Sequence, residues 1–278
     1  MGYLKLCCVA PHAPILVPEV GGSELGKIES SSRALDALAA QIRDIGPETI
    51  VIVSPPHISL SQDKGFDVKT GEGVNGSLSR FGAPQVAVRF TVDDELVESI
   101  AQAAGPRDIS LVGDESTGEQ DWGVLVPLRL LAPATCRLVS IRVSPYLPYR
   151  DHYYLGIAIR EGVKKVARNA VFIASGDFSH RLTRGAPSGY NPRGKEFDAE
   201  IVDIIGTGEF NRLFEMDPGL IESAGEDCLW SVAVLAGTVD GYRFDSEVLS
   251  YEGPFGVGYM VARVIPGKPD PEKEMTPP

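Results

Sequence analysis

Apolar and polar positions along this chain fall into two regimes. Short unbroken apolar runs break off at proline, glycine or histidine, and longer stretches carry apolar residues at a helical period. The runs at 4–10, 49–53 (Thr-Ile-Val-Ile-Val), 138–143 and from Val171 onward are too short for helices and predict strands buried on both faces of a largely parallel sheet. Between the first two runs, Leu25, Ile28, Leu35, Leu38, Ala39 and Ile42 predict a helix over 23–45, ended by Gly46-Pro47. Helices are likewise expected over 93–104, where acidic residues fill the first turn, over 152–166, 197–205 and 210–215, and over the apolar segment 229–236. Residues 86–90 and 244–250 read as further strands, and the glycines of 251–261 allow close backbone approach there.

Strand, helix and strand in succession make a crossover unit whose parallel strands end on one edge of the sheet. The expected fold is therefore one α/β domain over 1–265, with a mixed, mainly parallel central sheet flanked by helices. Residues 62–84, rich in Gly, Ser and Asp, are expected as a long surface excursion with short strands near 66–69. From Pro266 to the end, Pro, Lys, Asp and Glu dominate, and 266–278 is expected as a disordered tail.

Charge narrows the set of partners. The chain has 278 residues and a formal net charge of −12 with no basic cluster, a field that repels phosphate backbones and anionic membrane surfaces, so neither nucleic acid nor membrane is expected as a partner. Four cysteines, Cys7, Cys8, Cys136 and Cys228, lack the paired spacing of a structural zinc site and read as reduced core thiols. The first residues match neither a signal peptide nor a membrane span, and a cytoplasmic location is expected.

The candidate chemistry sits where the apolar runs stop. Pro11-His12-Ala13-Pro14 follows the first run and Ser54-Pro55-Pro56-His57 the second, so each histidine lies in a proline-stiffened loop at a strand's carboxyl end. The third run opens into Ser175-Gly176-Asp177-Phe178-Ser179-His180, and ligands of open α/β sheets bind beyond such strand ends. His12 and His57 can converge as metal ligands. Glu226 and Asp227, ahead of the 229–236 helix, are either capping acids or a metal carboxylate. His152, among aromatic residues at a helix start, reads as structural. Trp122, between Asp121 and Gly123, reads equally as a pocket wall or a core plug. No nucleophile elbow, Walker loop or dinucleotide fingerprint is present.

Six segments together resemble one family over about residues 4–264: Ala-Pro-His-Ala-Pro-Ile-Leu-Val-Pro-Glu from Ala10, Val-Ile-Val-Ser-Pro-Pro-His from Val51, Ser-Gly-Asp-Phe-Ser-His-Arg-Leu from Ser175, Tyr-Asn-Pro-Arg-Gly-Lys-Glu-Phe-Asp from Tyr190, Ala-Gly-Glu-Asp-Cys from Ala224 and Ser-Tyr-Glu-Gly-Pro-Phe-Gly-Val-Gly-Tyr from Ser250. The chain resembles the class III extradiol (LigB-like) ring-cleavage dioxygenases, and most closely the LigB-like domain of the AmmeMemoRadiSam system, to which Memo proteins are also similar. The resemblance implies a LigB-like fold and Fe(II), or another divalent metal, held by His12, His57 and Glu226, with Asp227 the alternative carboxylate. It also implies His180 as acid/base and a pocket that includes Trp122, Asp121, Asp177, Ser179, Tyr251 and Glu252. The implied activity is O2-dependent opening of a small catecholic ring by a homo-oligomer. Ring-opening members usually read Asp-His-Gly where this chain has Asp121-Trp122-Gly123, and an indole offers one donor and no acceptor. A Memo-like metal-binding protein with other redox or hydrolytic chemistry, and a scaffold with relic histidines, are the alternative readings.

Overall fold

The apolar runs become the middle of one sheet. The computed structural model describes residues 3–57, 65–71, 73–115 and 120–275. Among these residues ten strands form: β1 (Tyr3–Ala10), β2 (Thr49–Ser54), β3 (Phe66–Lys69), β4 (Val74–Leu78), β5 (Ala83–Phe90), β6 (Leu111–Asp114), β7 (Arg137–Arg142), β8 (Asn169–Ser175), β9 (Tyr242–Glu252) and β10 (Tyr259–Pro269). Eight lie in one sheet in the order β6-β3-β7-β2-β8-β1-β10-β9, and β4 and β5 form a separate antiparallel pair. The four central strands, β7, β2, β8 and β1, run parallel. β3 runs antiparallel to β7, and β10 runs antiparallel to both β1 and β9, so the sheet is mixed. Every residue of β2 is buried, which is why its sequence is continuously apolar or β-branched and does not alternate.

Eight α-helices accompany the strands: α1 (Pro18–Gly21), α2 (Glu29–Ile45), α3 (Asp94–Ala104), α4 (Trp122–Leu131), α5 (Tyr149–Lys165), α6 (Arg193–Thr207), α7 (Pro218–Ala224) and α8 (Leu229–Val239). α2 and α4 pack on each other, with α2 against β1 and β10 and α4 against β2 and β8. α5 and α8 form a second layer, in which α8 reaches β1, β2 and β8. α8 is apolar around nearly its whole circumference because it is enclosed by sheet and helix, which also explains its lack of a helical stripe.

Four local differences from the sequence expectation have physical reasons. The 23–45 helix begins as a 3-10 turn, Gly22–Ile28, since Gly22 takes φ 49° and the α conformation starts only at Glu29. Residues 210–215 likewise form a 3-10 turn, Phe210–Phe214, too short to propagate an α-helix. The excursion contributes β3 to the main sheet and β4 to the small one; residues 62–64 lie outside the described residues, as does Glu119. Past Pro266, β10 continues to Pro269, and a 3-10 turn (Pro271–Lys273) follows. The backbone is then held as the Met275 N–H donates to Asp240 Oδ1 at 2.7 Å and the Tyr153 hydroxyl to the Met275 carbonyl at 3.2 Å. Polar composition suggested disorder, but backbone pairing needs no apolar side chains. Among the described residues no helix is long and apolar enough to cross a membrane, and all four cysteines are buried free thiols.

Candidate metal centre at the strand ends

Register brings the three loops together. Ala10 of β1 pairs with Ser175 of β8, and Val53 of β2 pairs with Ala174, so three neighbouring strands finish level. His12, His57 and Asp177 lie two or three residues beyond those ends. The fourth contributor comes from the helix layer, where the loop between α7 and α8 carries Asp227. Gly176 permits that approach: a Cβ there would lie 2.6 Å from the Cα of Cys228, so no larger residue leaves room for the loop. Backbone and side chain then join the two segments, with Asp177 N–H donating to Asp227 Oδ1 at 2.8 Å and Asp227 N–H to the Asp177 carbonyl at 3.3 Å.

His12, His57 and Asp227 each offer one ligand atom, all within 4.8 Å of one another. Asp227 Oδ2 stands 3.4 Å from His12 Nε2 and 3.3 Å from His57 Nε2, and the two imidazoles meet edge to face with centroids 4.6 Å apart. Glu226, the first expectation for the carboxylate, is engaged elsewhere: its Oε2 accepts the N–H groups of Cys228 and Leu229, both at 2.7 Å, and so caps the start of α8. Adjacent residues on a turn point different ways, and it is the following residue that faces the histidines. The carboxylate of the cluster is therefore Asp227, the alternative that the sequence left open.

His12 is aimed by a partner on its other nitrogen. Ser175 Oγ donates to the Gly123 carbonyl at 2.5 Å, which commits its only hydrogen, so at 3.2 Å from His12 Nδ1 it accepts. That fixes the proton on Nδ1 and leaves Nε2 as a lone pair facing the cluster. The Gly123 carbonyl is available because of Pro127: inside α4, residue 127 would normally donate its N–H to that carbonyl, and proline has none. Asp121 holds His57 through its backbone instead, and His57 Nδ1 has no hydrogen-bond partner among the described residues. Asp121 caps α4 by accepting the Gly123 N–H at 2.9 Å, accepts the His57 N–H at 3.2 Å, and lies 3.5 Å from His57 Nδ1.

The electrostatics favour positive charge among these atoms. Burial alone would lower both histidines, yet the charges of Asp177 and Asp227 raise His12, and Asp121 with Asp227 raises His57 to about 9. Burial would raise Asp227, but His12 and His57 hold it well below the usual carboxylate range. Two imidazole lone pairs facing one carboxylate repel unless a proton or a cation lies among them. Two Nε2 atoms and one carboxylate oxygen are a donor set that suits a divalent metal with coordination positions left open, so the residues fit such an ion.

The other expected site residues make varied contacts. Asp177, buried, accepts the His12 N–H at 3.0 Å; burial raises its pKa, opposed by His12 and reinforced by Asp227. Trp122 begins α4 and leans on His57 with centroids 4.5 Å apart and ring planes tilted by 40°, while Phe81 meets it edge-on at 5.6 Å, so the indole lies against one of the cluster's histidines. The His180 N–H donates to the Ala224 carbonyl, as does the Ser179 hydroxyl, and His180 Nδ1 is buried with no partner among the described residues. Tyr251 donates to Asp198 Oδ2 at 2.5 Å, and Asp198 Oδ1 accepts the Ser179 N–H at 2.8 Å. Asp198 was not singled out in the sequence, although it ends the segment from Tyr190. Burial raises it to about 6 against those two hydrogen bonds. Glu252 instead accepts the Ser31 N–H at 2.7 Å in the first turn of α2. His152 is structural: Nδ1 donates to the Pro148 carbonyl at 3.0 Å and Nε2 accepts the Ser144 N–H at 3.3 Å.

Fold and site together define a mixed-sheet α/β protein with a two-histidine, one-carboxylate cluster at the carboxyl ends of its parallel strands. The chain belongs to the LigB family: residues 6–262 match the family described as the catalytic LigB subunit of aromatic ring-opening dioxygenase. It is 37% identical over 264 residues to a protein of Clostridium acetobutylicum, covering 91% of this chain and spanning 56% of that longer relative. It is 25% identical to the 2-aminophenol 1,6-dioxygenase beta subunit of a Pseudomonas species, over 78% of each chain. It is 27% identical to a MEMO1 family protein of Thermococcus onnurineus, over 92% of this chain and 83% of the relative. The crystal structure of an uncharacterized Escherichia coli K12 protein shares the fold, with TM-score 0.63 and 16% identity over 94% of this chain and 99% of that one.

Proposed function

We propose that this chain is an Fe(II)-dependent, extradiol-type oxygenase that opens a small catecholic or related aromatic ring with O2. The observation that carries the reading is the convergence of His12, His57 and Asp227 within 4.8 Å at the sheet edge. A divalent metal held by these three supplies Lewis-acid chemistry and, as iron, the capacity to activate oxygen. The protein's own residues do the rest. Ser175 holds the His12 imidazole with Nε2 inward, and Asp121 holds the His57 backbone. Trp122 and Phe81 offer an aromatic face against which a planar ring stacks. His180, with a buried and unpartnered Nδ1, holds or moves a proton at the substrate hydroxyl. In this reading the partners are a small aromatic molecule and O2, the site works in the cytoplasm, and the chain assembles as a homo-oligomer.

A second reading is supported by Trp122. Its indole offers one donor and no acceptor to a substrate hydroxyl, and MEMO1 family proteins are among the relatives. Here the cluster binds metal without opening a ring.

The test is metal analysis of protein purified without oxygen, followed by O2 uptake with catechols and 2-aminophenol. Wild type should hold one iron per chain. His12→Ala and Asp227→Asn should lose it, while Glu226→Gln, which keeps an oxygen acceptor for the α8 N–H groups, should retain it. Metal with no uptake on any ring favours the second reading; metal unchanged in Asp227→Asn sinks both.

A further inference from the structure

We propose that the cavity at the opposite edge of the sheet from the metal centre is a binding site for a small organic anion with an apolar body. It opens at the amino end of β1 and the carboxyl end of antiparallel β10, between α5 and the end of α8. The length of β1, about 20 Å or more at 3.3 Å per residue, separates it from His12. Its volume is about 380 Å³, enough for a ligand of one or two rings.

Charge is the unusual feature. Four charged residues line the cavity, Lys5, Arg160, Lys164 and Lys268, and all are basic, in a chain where Asp and Glu outnumber Lys and Arg 38 to 26. Arg160 is fixed by the carbonyls of Gly237 and Asp240 and lies over the Tyr242 ring, 5.1 Å from its centroid. The nearby Asp240 carboxylate is turned to the Met275 N–H at 2.7 Å. Lys164 and Lys268 have no carboxylate within 4.0 Å among the described residues, and Lys5 meets only the Tyr3 ring at 5.3 Å. Like charges grouped without acids repel, and an anion among them relieves that repulsion. The apolar remainder, including Leu4, Pro266 and the Tyr242 ring, suits the body of such a ligand but not a bare inorganic ion.

The experiment uses 8-anilinonaphthalene-1-sulfonate, whose sulfonate and fused rings match the two halves of the site, beside N-phenyl-1-naphthylamine, the same body without charge. Wild type should bind one sulfonate probe, more weakly between 50 and 500 mM salt, and Asp227→Asn should bind it equally, placing it outside the metal centre. Lys164→Gln/Lys268→Gln should weaken it at least tenfold, about the effect of one to two charged contacts, and the double arginine replacement should restore it. Inorganic phosphate should compete only at much higher concentration. Both lysines are exposed, so melting temperature should not move in either variant. No binding in wild type, affinity in the double glutamine variant within twofold of wild type, or equal binding of the neutral analogue would overturn the proposal.

Discussion

Acidification should reveal that one of the four histidines is committed to neutrality. His152 is fully buried between Phe66 and Tyr149, and burial pushes its pKa from the ordinary 6.5 down to about 4. The unfolded chain takes up a proton here near pH 6.5, the folded chain only near pH 4. Between these values the unfolded state binds more protons, so stability falls as pH falls. At 1.36 kcal/mol per pH unit the full loss is about 3 kcal/mol, and about 2.5 kcal/mol of it has occurred by pH 4.5. Asp198 acts in the opposite direction. Raised to about 6 from 3.8, its carboxyl holds a proton in the fold that the unfolded chain has released, and it adds stability as pH falls through 6.

A wild-type profile alone mixes these contributions with those of the shifted groups in the metal cluster, so the decisive quantity is the difference from His152→Gln. Glutamine does not titrate and can still donate to the Pro148 carbonyl and accept from the Ser144 N–H. At pH 7.5 the variant should be less stable, by about 1–2 kcal/mol, through lost packing against Phe66. That gap should close and then reverse as pH falls to 4.5, a swing of about 2.5 kcal/mol. Urea unfolding followed by circular dichroism at half-unit pH intervals measures it, with m-values checked for constancy. A gap that stays within about 0.5 kcal/mol across this range would refute the assignment of His152 as a buried neutral imidazole.

Three further outcomes test how the metal cluster is held. Ser175→Ala removes the acceptor that fixes the His12 proton on Nδ1, and should weaken divalent metal binding about 10–100-fold in a competition titration while leaving the fold intact; unchanged affinity would mean that the tautomer is set elsewhere. Gly176→Ala drives a Cβ against the Cα of Cys228, which backbone must yield to; it should cost about 2 kcal/mol in urea unfolding and loosen metal binding as well, since Asp227 moves with that loop. Pro127→Ala restores an N–H that competes for the Gly123 carbonyl, so it should stabilise α4 yet weaken metal binding several-fold. An equal gain in both would contradict the link between this proline and His12.

What the sequence disclosed and what it withheld divide along a physical line. Strands such as β2 and β8 are legible because burial on both faces demands an unbroken apolar run, and the histidines beyond them follow from strand ends that share one edge. β6 was missed: Leu-Val-Gly-Asp is short, partly exposed and interrupted by glycine, and only its partner β3 makes it a strand. Glu226 and Asp227 were indistinguishable because both are acids ahead of a helix. Which one caps and which one faces the cluster depends on the turn at Gly225, which takes φ 60°, and on the closeness of Gly176 to Cys228.

Pro127 shows how local and tertiary information combine at this site. Inside an otherwise helical run it reads as a defect, and propensity alone counts it as a cost to α4. Its consequence lies across the sheet: a missing N–H frees one carbonyl, that carbonyl takes the Ser175 hydrogen, and the Ser175 oxygen in turn receives the His12 Nδ1 proton. Three elements distant in sequence thereby set a single lone pair. The proline, serine and histidine were each visible in the chain, but the relation between them exists only once β1, β8 and α4 are packed. A metal centre built this way is specified by where backbone hydrogen bonds are left unmade as much as by its ligands.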